Sequence, residues 1–361
     1  MTDAGHPRPS GNAGRIVIRA DGGSEIGFGH LVRTGALAAA FAESGFEVLY
    51  ATATPAATRS VLPSWVEIVA LDGSPETNAW TIERIDALNA DVLVVDSYAI
   101  DASGQEQLAE CASVLGVVLD DARPVHADVV VNGNLYAPSL EYGWTGTEPS
   151  WCLGPAYLLL REAFRADRSR TSAPWRDPPE RGLITFGGSD VGNATPRAIE
   201  AFESCSVFED LTVTIGPGFE NRSAIEAAAR SSDHAIELLS DPDSHTLAAH
   251  MRNADLAVSA LGSTIYELLA SATSTIGIAQ APNQRPIAEA LDQRNAAWVI
   301  ASGADGDRMT SAIYEAIDGL LADTDRRREL YECGPTIVDG QGPRRVRDEL
   351  ISRIEHEEET T

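Results

Sequence analysis

The sequence contains no lysine. All 27 of its basic residues are arginine, and 54 acidic residues give a net charge of -27. An acidic, lysine-free surface stays hydrated where counterions are abundant, whereas at low salt its self-repulsion destabilises the compact state. The composition therefore predicts adaptation to a salt-rich cytoplasm. It disfavours nucleic-acid binding, which needs a basic face, and the acids are spread too widely to suggest one patch for a basic partner.

Cysteines and long apolar runs are also scarce. The four cysteines, Cys111, Cys152, Cys205 and Cys333, form no C-x-x-C pair, so they predict neither a zinc site nor a redox motif. No stretch approaches ~18 consecutive apolar residues, so no membrane span is expected. Residues 1–14 are polar and rich in glycine and proline, and we predict a disordered tail there. These features favour a cytoplasmic protein.

Short apolar runs alternate with longer helical patterns along the chain, which is typical of parallel sheets covered by helices on both faces. The length of 361 residues suits two hydrophobic cores better than one. We predict an α/β protein of two Rossmann-like domains with an interdomain cleft. The predicted strands are 15–20, 46–51, 66–71, 91–96, 115–120 and 128–132 in the first half, and 182–186, 211–216, 235–239, 255–260, 274–278 and 296–300 in the second.

A segment rich in proline, arginine and serine, residues 166–180, interrupts this pattern and predicts an interdomain linker. It would separate an N-terminal domain at 15–165 from a C-terminal, nucleotide-binding domain at 181–340. The remaining residues, 341–361, carry a charged amphipathic pattern over 342–359. That pattern predicts a final helix that could cross back onto the first domain.

A glycine-rich turn, RADGGSEIGFGH at residues 19–30, joins the first strand to an apolar helix. Such a turn offers free backbone amides and the positive end of the helix dipole to an anion, although it matches neither the dinucleotide motif nor the P-loop. His30 shares a helical face with Thr34, Leu37 and Phe41, so it is either a packed core ring or a functional base. Its place at the carboxyl end of a strand favours function, and the dipole there favours the neutral imidazole that accepts a proton.

Two similar turns occur in the second half, in ITFGGSD (184–190) and SALGSTIYELLASA (259–272). Each also fits an ordinary turn or helix cap, and Thr264 with Glu267 has the spacing of a capping box. Their repetition, together with a turn in the first half that carries a histidine, favours a nucleotide-binding site opposite a reactive group.

Seven segments, in their order along the chain, resemble the UDP-sugar hydrolases of pseudaminic acid biosynthesis, which release UDP from UDP-2,4-diacetamido-2,4,6-trideoxy-β-L-altropyranose. The resemblance extends over roughly residues 15–300. It implies the two-domain glycosyltransferase-B fold, which is related to that of the lipid II N-acetylglucosaminyltransferase. The segments are RADGGSEIGFGHLVRTGALA, VVDSYAID, LDDARPVHADVVVN, LGPAYLLLREAF, TFGGSD, SALGSTIYELLASA and NQ at 283–284.

The resemblance also implies roles for individual residues. His30 would be the general base that activates a water for inverting attack at the anomeric carbon, without a metal or other cofactor, and Tyr98 would lie near the sugar. Glu267 would hold the ribose hydroxyls. The implied nucleotide-binding residues are Gly188, Ser189, Ser263, Thr264 and Glu267, and the substrate-binding candidates are Gly29, Arg33, Arg161, Asn283 and Gln284. Arg161 is a candidate because a guanidinium near a cleft can bind an anionic group through two hydrogen bonds, with a surface salt bridge as the alternative.

The chain departs from the family at Ser97 and Ala99, because the family pattern around the tyrosine is D-H-Y-G. This departure leaves the identity of the sugar more open than that of the nucleotide. Asp96 is interpreted as a structural residue that ends a buried strand. Asp120 and Asp121 also end a strand, where an aspartate commonly satisfies a turn, with contact to substrate as the alternative.

Two other functions fit the same pattern. A glycosyltransferase of this fold would use the same base to deprotonate an acceptor hydroxyl, and a non-catalytic module would bind the nucleotide-sugar without turnover. In each case the expected ligand is a UDP-sugar, and other enzymes of the same glycan pathway are candidate partners.

Overall fold

The computed structural model describes residues 13–23, 26–71, 79–165, 175–300 and 306–360. The chain divides into two compact units: unit 1 comprises Met1–Glu162 and Gly340–Thr361, and unit 2 comprises Ala163–Asp339. Most of the predicted tail (1–12) and of the predicted linker (166–174) lies outside the described residues.

The strands are β1 Arg15–Ala20, β2 Glu47–Thr52, β3 Glu67–Ala70, β4 Ala90–Asp96, β5 Ala112–Val118, β6 Val129–Asn132, β7 Ser150–Leu153, β8 Arg181–Thr185, β9 Asp210–Ile215, β10 Ala235–Ser240, β11 Leu256–Ala260, β12 Ser274–Ile278 and β13 Trp298–Ile300. The helices are α1 Gly29–Glu43, α2 Pro55–Val61, α3 Ala79–Asp86, α4 Ala102–Ala109, α5 Ala194–Glu203, α6 Arg222–Ser231, α7 Ser244–Asn253, α8 Thr264–Ala270, α9 Arg285–Gln293, α10 Gly306–Ala322, α11 Thr324–Ile337 and α12 Gly342–Thr360. Short 3-10 turns lie at Ala137–Ser139, Pro155–Tyr157, Glu162–Phe164 and Pro282–Gln284. Among the described helices, none is both long and apolar enough to cross a membrane.

Unit 1 is built on a parallel sheet whose described strands run in the order β3-β2-β1-β4-β5-β6-β7. Its central strands are rich in buried apolar residues because both of their faces are covered. Ile16 and Ile18 lie on one face in a core with Phe41 of α1 and Leu350 of α12. Val17 lies on the other face, in a second core. The C-terminal helix α12 therefore belongs to unit 1, where it packs on α1 and β5.

Unit 2 is built on a second parallel sheet, whose described strands run in the order β10-β9-β8-β11-β12-β13. Its core joins Ile184, Val213, Val258 and Ile276 of four neighbouring strands. In each sheet, the first strand along the chain lies between the next strand in sequence and a later one. Strand β1 lies between β2 and β4, and β8 lies between β9 and β11. This arrangement creates a point where the chain reverses direction across the sheet, and α/β proteins bind ligands at such points.

Each predicted strand has a counterpart, with two differences of note. Strand β7 was not predicted, because it is only four residues long and mostly half-buried, so its apolar pattern is weak. Strand β13 begins at Trp298, not at residue 296 as predicted. The amide of Ala296 instead donates to Leu291 O at 2.9 Å and closes the end of α9, with Asn295 at φ 51°.

Candidate active site

The glycine-rich turn after β1 folds tightly before α1 begins. Gly23 and Gly27 exchange backbone hydrogen bonds of 3.1 and 2.7 Å, and Gly27 has φ +86°, a conformation that favours glycine. A side chain at Gly22 would collide with Leu31. The preceding Asp21 anchors the turn, because its Oδ1 accepts from the amide of Ala53 at 2.7 Å. His30 is thereby held in the first turn of α1, where it is 6% exposed.

His30 is paired with Asp96, the last residue of β4. Strand β4 lies beside β1 with Ala20 opposite Asp96, so the carboxylate reaches the start of α1. The distance from His30 Nδ1 to Asp96 Oδ1 is 2.6 Å. Arg33 Nη2, which can only donate, also lies 3.1 Å from Nδ1, but the contact with Asp96 is the shorter one. Because an ionised carboxylate can only accept a hydrogen bond, we assign the proton of the neutral ring to Nδ1 and the lone pair to Nε2. The geometry thus prepares the imidazole to accept a proton.

Arg33 lies one turn further along α1 and fixes the charge of Asp96. Its Nε and Nη2 donate to Asp96 Oδ2 and Oδ1, each at 2.6 Å, and its Nη1 donates to Asp120 Oδ2 at 3.0 Å. Burial acts to raise the pKa of Asp96, but the charge and hydrogen bonds of Arg33, with the hydrogen bond from His30, outweigh it and lower that pKa. Arg33, implied by the resemblance to bind substrate, therefore has its charge balanced by two carboxylates and acts here to position Asp96.

Tyr98 lies against His30 at the protein surface. Their ring centroids are 4.8 Å apart with nearly perpendicular planes, and Tyr98 is 54% exposed. Its hydroxyl donates to Asp120 Oδ2 at 2.5 Å, and the Arg123 guanidinium lies 4.5 Å from its ring centre. Burial, followed by the hydrogen bond and charge of Asp120, raises the pKa of Tyr98, so the phenol stays protonated as a donor. We refer to His30, Arg33, Asp96, Tyr98 and Asp120 as the His30 cluster.

The bonds that Asp96 makes to His30 and that Asp120 makes to Arg33 and Tyr98 were not predicted from the sequence. Asp96 does end a buried strand, as interpreted, but it also orients His30. Asp120 does not serve a turn with its side chain, which instead joins Arg33 to Tyr98. Asp121 does serve the turn, accepting from the backbone and side chain of Arg123. Strand order is the information that would have assigned these two carboxylates. Strands β1, β4 and β5 are neighbours in the sheet, so their carboxyl ends meet at one edge.

In unit 2, the structure brings the two predicted turns together. Strands β8 and β11 pair with Thr185 opposite Ser259, so the turns that follow them are adjacent. A Cβ at Gly187, which has φ +71°, would lie 2.9 Å from Thr264 Oγ1. Ser189 and Ser263 are exposed.

The turn before α8 carries two hydroxyl groups. Ser263 is the N-cap residue and makes no side-chain cap, so Thr264 and Glu267 do not form the capping box that their spacing allowed. Within the described part of the chain, the hydroxyls of Ser263 and Thr264 make no hydrogen bond. Glu267, implied to hold the ribose, is only 6% exposed.

The other predicted residues lie as follows. Asn283 is exposed in the 3-10 turn after β12, and neighbouring Gln284 accepts from the amide of Gln280 at 2.8 Å. Gly29 opens α1, and a side chain there would meet no atom within 4 Å. Arg161 is half-buried after β7 in unit 1.

A supporting loop after β9 was also missed. Gly216 approaches the first of the two turns so closely that a Cβ would lie 2.3 Å from Gly187 O. The amide of Gly218 donates to Gly188 O at 2.9 Å. The sequence signal was the G-P-G triplet directly after a strand, which permits a close backbone approach. Among the described residues, no group of three or more His, Cys, Asp or Glu side chains is arranged to hold a metal ion.

No protein-family model matches the chain. Three curated proteins are each 24% identical to it. The match to an uncharacterized protein of Methanocaldococcus jannaschii covers 71% of this chain and 53% of that protein, so the chain spans about half of that relative's length. The UDP-2,4-diacetamido-2,4,6-trideoxy-β-L-altropyranose hydrolase of Campylobacter jejuni matches over 57% of this chain and 72% of its own. The spore coat polysaccharide biosynthesis protein SpsG of Bacillus subtilis matches over 95% and 99%.

Solved structures share the fold. MurG of Acinetobacter baumannii superposes with a TM-score of 0.66 at 13% identity, over 93% of this chain and 99% of that one. A glycosyltransferase from Rickettsia africae gives 0.62 at 12% identity, over 95% and 99%. The predicted fold of two Rossmann-like α/β domains, the glycosyltransferase-B fold, is confirmed.

Proposed function

We propose that this protein is a UDP-sugar hydrolase in which His30 takes a proton from the attacking water. The water oxygen would bond to the anomeric carbon as the bond from that carbon to the diphosphate oxygen breaks. UDP would leave with the electron pair, and the proton would pass to His30 Nε2 and then to solvent or UDP. The observation that carries the proposal is the 2.6 Å bond from His30 Nδ1 to Asp96, which leaves Nε2 as the proton acceptor.

The His30 cluster supports this role because each member constrains the next. Arg33 keeps Asp96 ionised, and Asp96 fixes the tautomer of His30. A positioned general base of this kind accelerates proton transfer by about 10²–10⁴-fold. Tyr98 is proposed to contact the sugar, since it is exposed beside the imidazole.

For the nucleotide, we propose the two adjacent turns of unit 2. Gly188, Ser189, Ser263 and Thr264 would hold the diphosphate, because the last two offer hydroxyl groups with no other bond in the described structure. Asn283 and Gln284 are proposed to contact the rest of the substrate, with Glu267 toward the ribose. The names of the Campylobacter and Bacillus relatives support a UDP-sugar and a place in polysaccharide biosynthesis.

The sugar is proposed to be of the diacetamido-trideoxy class, in line with the Campylobacter relative. Because Ser97 and Ala99 beside Tyr98 depart from the family pattern, UDP-linked sugars of similar size but different structure are the first alternative substrates to test. The acidic, lysine-free composition supports a salt-rich cytoplasm as the place of action.

The test is product formation without an acceptor. The full chain in molar KCl is incubated with a panel of UDP-sugars, and NMR follows UDP and the configuration of the released sugar. Release of free sugar with inversion is the expected result. Strict dependence on an added acceptor would support the second candidate, a glycosyltransferase, which is the activity named for the Rickettsia africae protein of the same fold.

Replacing His30 with asparagine separates an enzyme from a binding module. The introduced amide can still bond Asp96 but cannot accept the proton, so turnover should fall by about 10²-fold or more while UDP affinity is kept. The matched control is His126→Asn, because His126 lies in the same unit and bonds Thr145, outside the cluster. A His30→Asn variant with the wild-type rate would remove His30 from the mechanism.

A further inference from the structure

A chain of hydrogen bonds in unit 2 crosses from one loop to another at the carboxyl ends of neighbouring strands. Asp190, in the turn after β8, accepts from Gln280 Nε2 at 2.8 Å. Gln280 follows β12, and its amide donates to Gln284 Oε1 at 2.8 Å. Gln284 Nε2 in turn lies 4.0 Å from the position of a Cβ on Gly262, in the turn after β11. We call Asp190, Gln280 and Gln284 the Asp190 bridge.

Asp190 also closes the amino end of α5. Its Oδ1 accepts from the amide of Ala194 at 2.9 Å, and its Oδ2 accepts from the amide of Thr195 at 2.7 Å. An anion at a helix amino end uses these same amides. Because the carboxylate already occupies them, a bound diphosphate must take its contacts from the loops on either side.

Capping α5 does not require the bond to Gln280. Asp243 provides the comparison, since it caps α7 through the amides of His245 and Thr246 and the hydroxyl of Thr246, all within its own turn. Asp190 does the same for α5 and then reaches across to a loop 90 residues away. This third bond fixes one loop relative to another.

We infer that the Asp190 bridge positions the substrate-binding loops, and that Gln280 is a positioning residue for the UDP-sugar. The inference rests on the proposed function. The bridge sets the spacing between Gly188–Ser189, proposed for the diphosphate, and Asn283–Gln284, proposed for the rest of the substrate. Without the bridge, every residue proposed to contact the substrate is still present, but the two loops can move apart. Part of the binding free energy is then spent on ordering these loops.

The structural alternative is that the bridge only stabilises unit 2, and the two roles predict different measurements. A stabilising role lowers the Tm and leaves KM unchanged. A positioning role raises KM with little change in kcat, because the proposed base belongs to unit 1. Gln280→Leu distinguishes them, since it removes the donor while Asp190 keeps both amides of α5.

The experiment compares four variants of the full chain with the wild type in molar KCl. Gln280→Leu deletes the bridging donor, and Gln280→Glu places a carboxylate against Asp190, which is the stronger disruption. The double variant Asp190→Asn/Gln280→Glu exchanges donor and acceptor at unchanged side-chain lengths and can rebuild the bridging bond, at the cost of the bond from the Ala194 amide. Asp243→Asn is the control for altering a helix cap. The readouts are the Kd for UDP by calorimetry, KM and kcat for the best UDP-sugar, and the Tm.

We expect Gln280→Leu to raise KM by about tenfold and Gln280→Glu by more, since one hydrogen bond to a charged group is involved. The exchange variant should recover part of the loss in KM while its Tm stays below that of the wild type, because the Ala194 amide loses its acceptor. Asp243→Asn should stay within about twofold of the wild type. KM should rise more than the Kd for UDP, because Asn283 and Gln284 are proposed to lie beyond the nucleotide. Wild-type KM in both Gln280 variants overturns the inference while leaving the hydrolase proposal standing. A wild-type chain that neither binds UDP nor cleaves a UDP-sugar overturns the hydrolase proposal and the inference with it.

Discussion

Replacing Asp96 with asparagine is the sharpest test of the His30 cluster, because one change affects both stability and chemistry. The variant keeps the size of the side chain and removes its charge. In the wild type, Arg33 makes three bonds to carboxylates, two to Asp96 and one to Asp120. In the variant, only the 3.0 Å bond to Asp120 keeps a charged partner.

The expected loss of stability follows from that count. Removing one partner of a buried ion pair costs about 3–5 kcal/mol. We expect the lower end, about 3 kcal/mol, because Arg33 is 22% exposed and retains Asp120. Urea unfolding of the full chain measures it, with hydrogen exchange at β1 and β4 used to identify the transition of unit 1, since two units need not unfold together.

The pH dependence has a definite sign. Burial acts to raise the pKa of Asp96, but Arg33 and His30 lower it. A carboxylate whose folded pKa is lowered contributes stability that is fully present above its unfolded pKa, ~3.9. That contribution is lost as the pH falls through the folded pKa. The gap between wild type and Asp96→Asn should therefore be widest at neutral pH and narrow in acid.

The same variant should lose activity through the tautomer of His30. The side-chain amide of the introduced asparagine can donate to His30 Nδ1, which shifts the ring proton to Nε2 and removes the proton acceptor. We expect kcat to fall by about 10²–10⁴-fold, with the Kd for UDP unchanged. Equal stability of the two proteins at neutral pH would refute the ion-pair reasoning. A wild-type kcat in a destabilised variant would reduce Asp96 to a structural residue.

Two further variants test neighbouring contacts. Tyr98→Phe removes the 2.5 Å bond to Asp120 and keeps the ring beside His30, so it should lower the free energy of unfolding by about 1 kcal/mol. It should also reduce kcat/KM less than Tyr98→Ala does. An equal loss of activity in both variants would mean that the hydroxyl, and not the ring, matters. Gly216→Ala would place a methyl group 2.3 Å from Gly187 O and should displace the proposed diphosphate turn, costing about 1–3 kcal/mol and raising the Kd for UDP. Gly143→Ala, whose nearest contact is 3.7 Å, is the control, and unchanged UDP binding in Gly216→Ala would count against that turn as the nucleotide site.

Much of the fold was predictable because the central strands are buried on both faces. Strand β12, for example, is wholly buried, and the strand predicted at 274–278 has the observed bounds Ser274–Ile278. Strand β7 carries no such signal, because three of its four residues are half-buried. Burial of whole strands, and not propensity alone, made the positions of the strands predictable from the sequence.

The partners of His30 were less accessible, because they lie far away along the chain. Asp96 is 66 residues from His30, and Asp120 is 87 residues from Arg33. Nothing in either local pattern distinguishes them from aspartates that simply close a turn. What decides their role is that β4 and β5 continue the sheet beside β1. Strand order therefore has to be known before such carboxylates can be assigned.

The periodicity of α1 left open whether His30 is a packed ring or a functional one. The structure shows a buried ring whose Nδ1 bonds a carboxylate, and both features are compatible with the proposed base. Thr34, Leu37 and Phe41, on the face predicted for His30, are completely buried. Arg33, three residues after His30, lies at the edge of that face and is 22% exposed. His30 thus lies at the boundary between the buried face of α1 and its polar side. Burial holds the ring in place, and Arg33, one helical turn further along, keeps Asp96 charged. A packed ring and a proposed base are therefore compatible at His30, because burial acts to raise the pKa of Asp96 and the charge of Arg33 outweighs that effect.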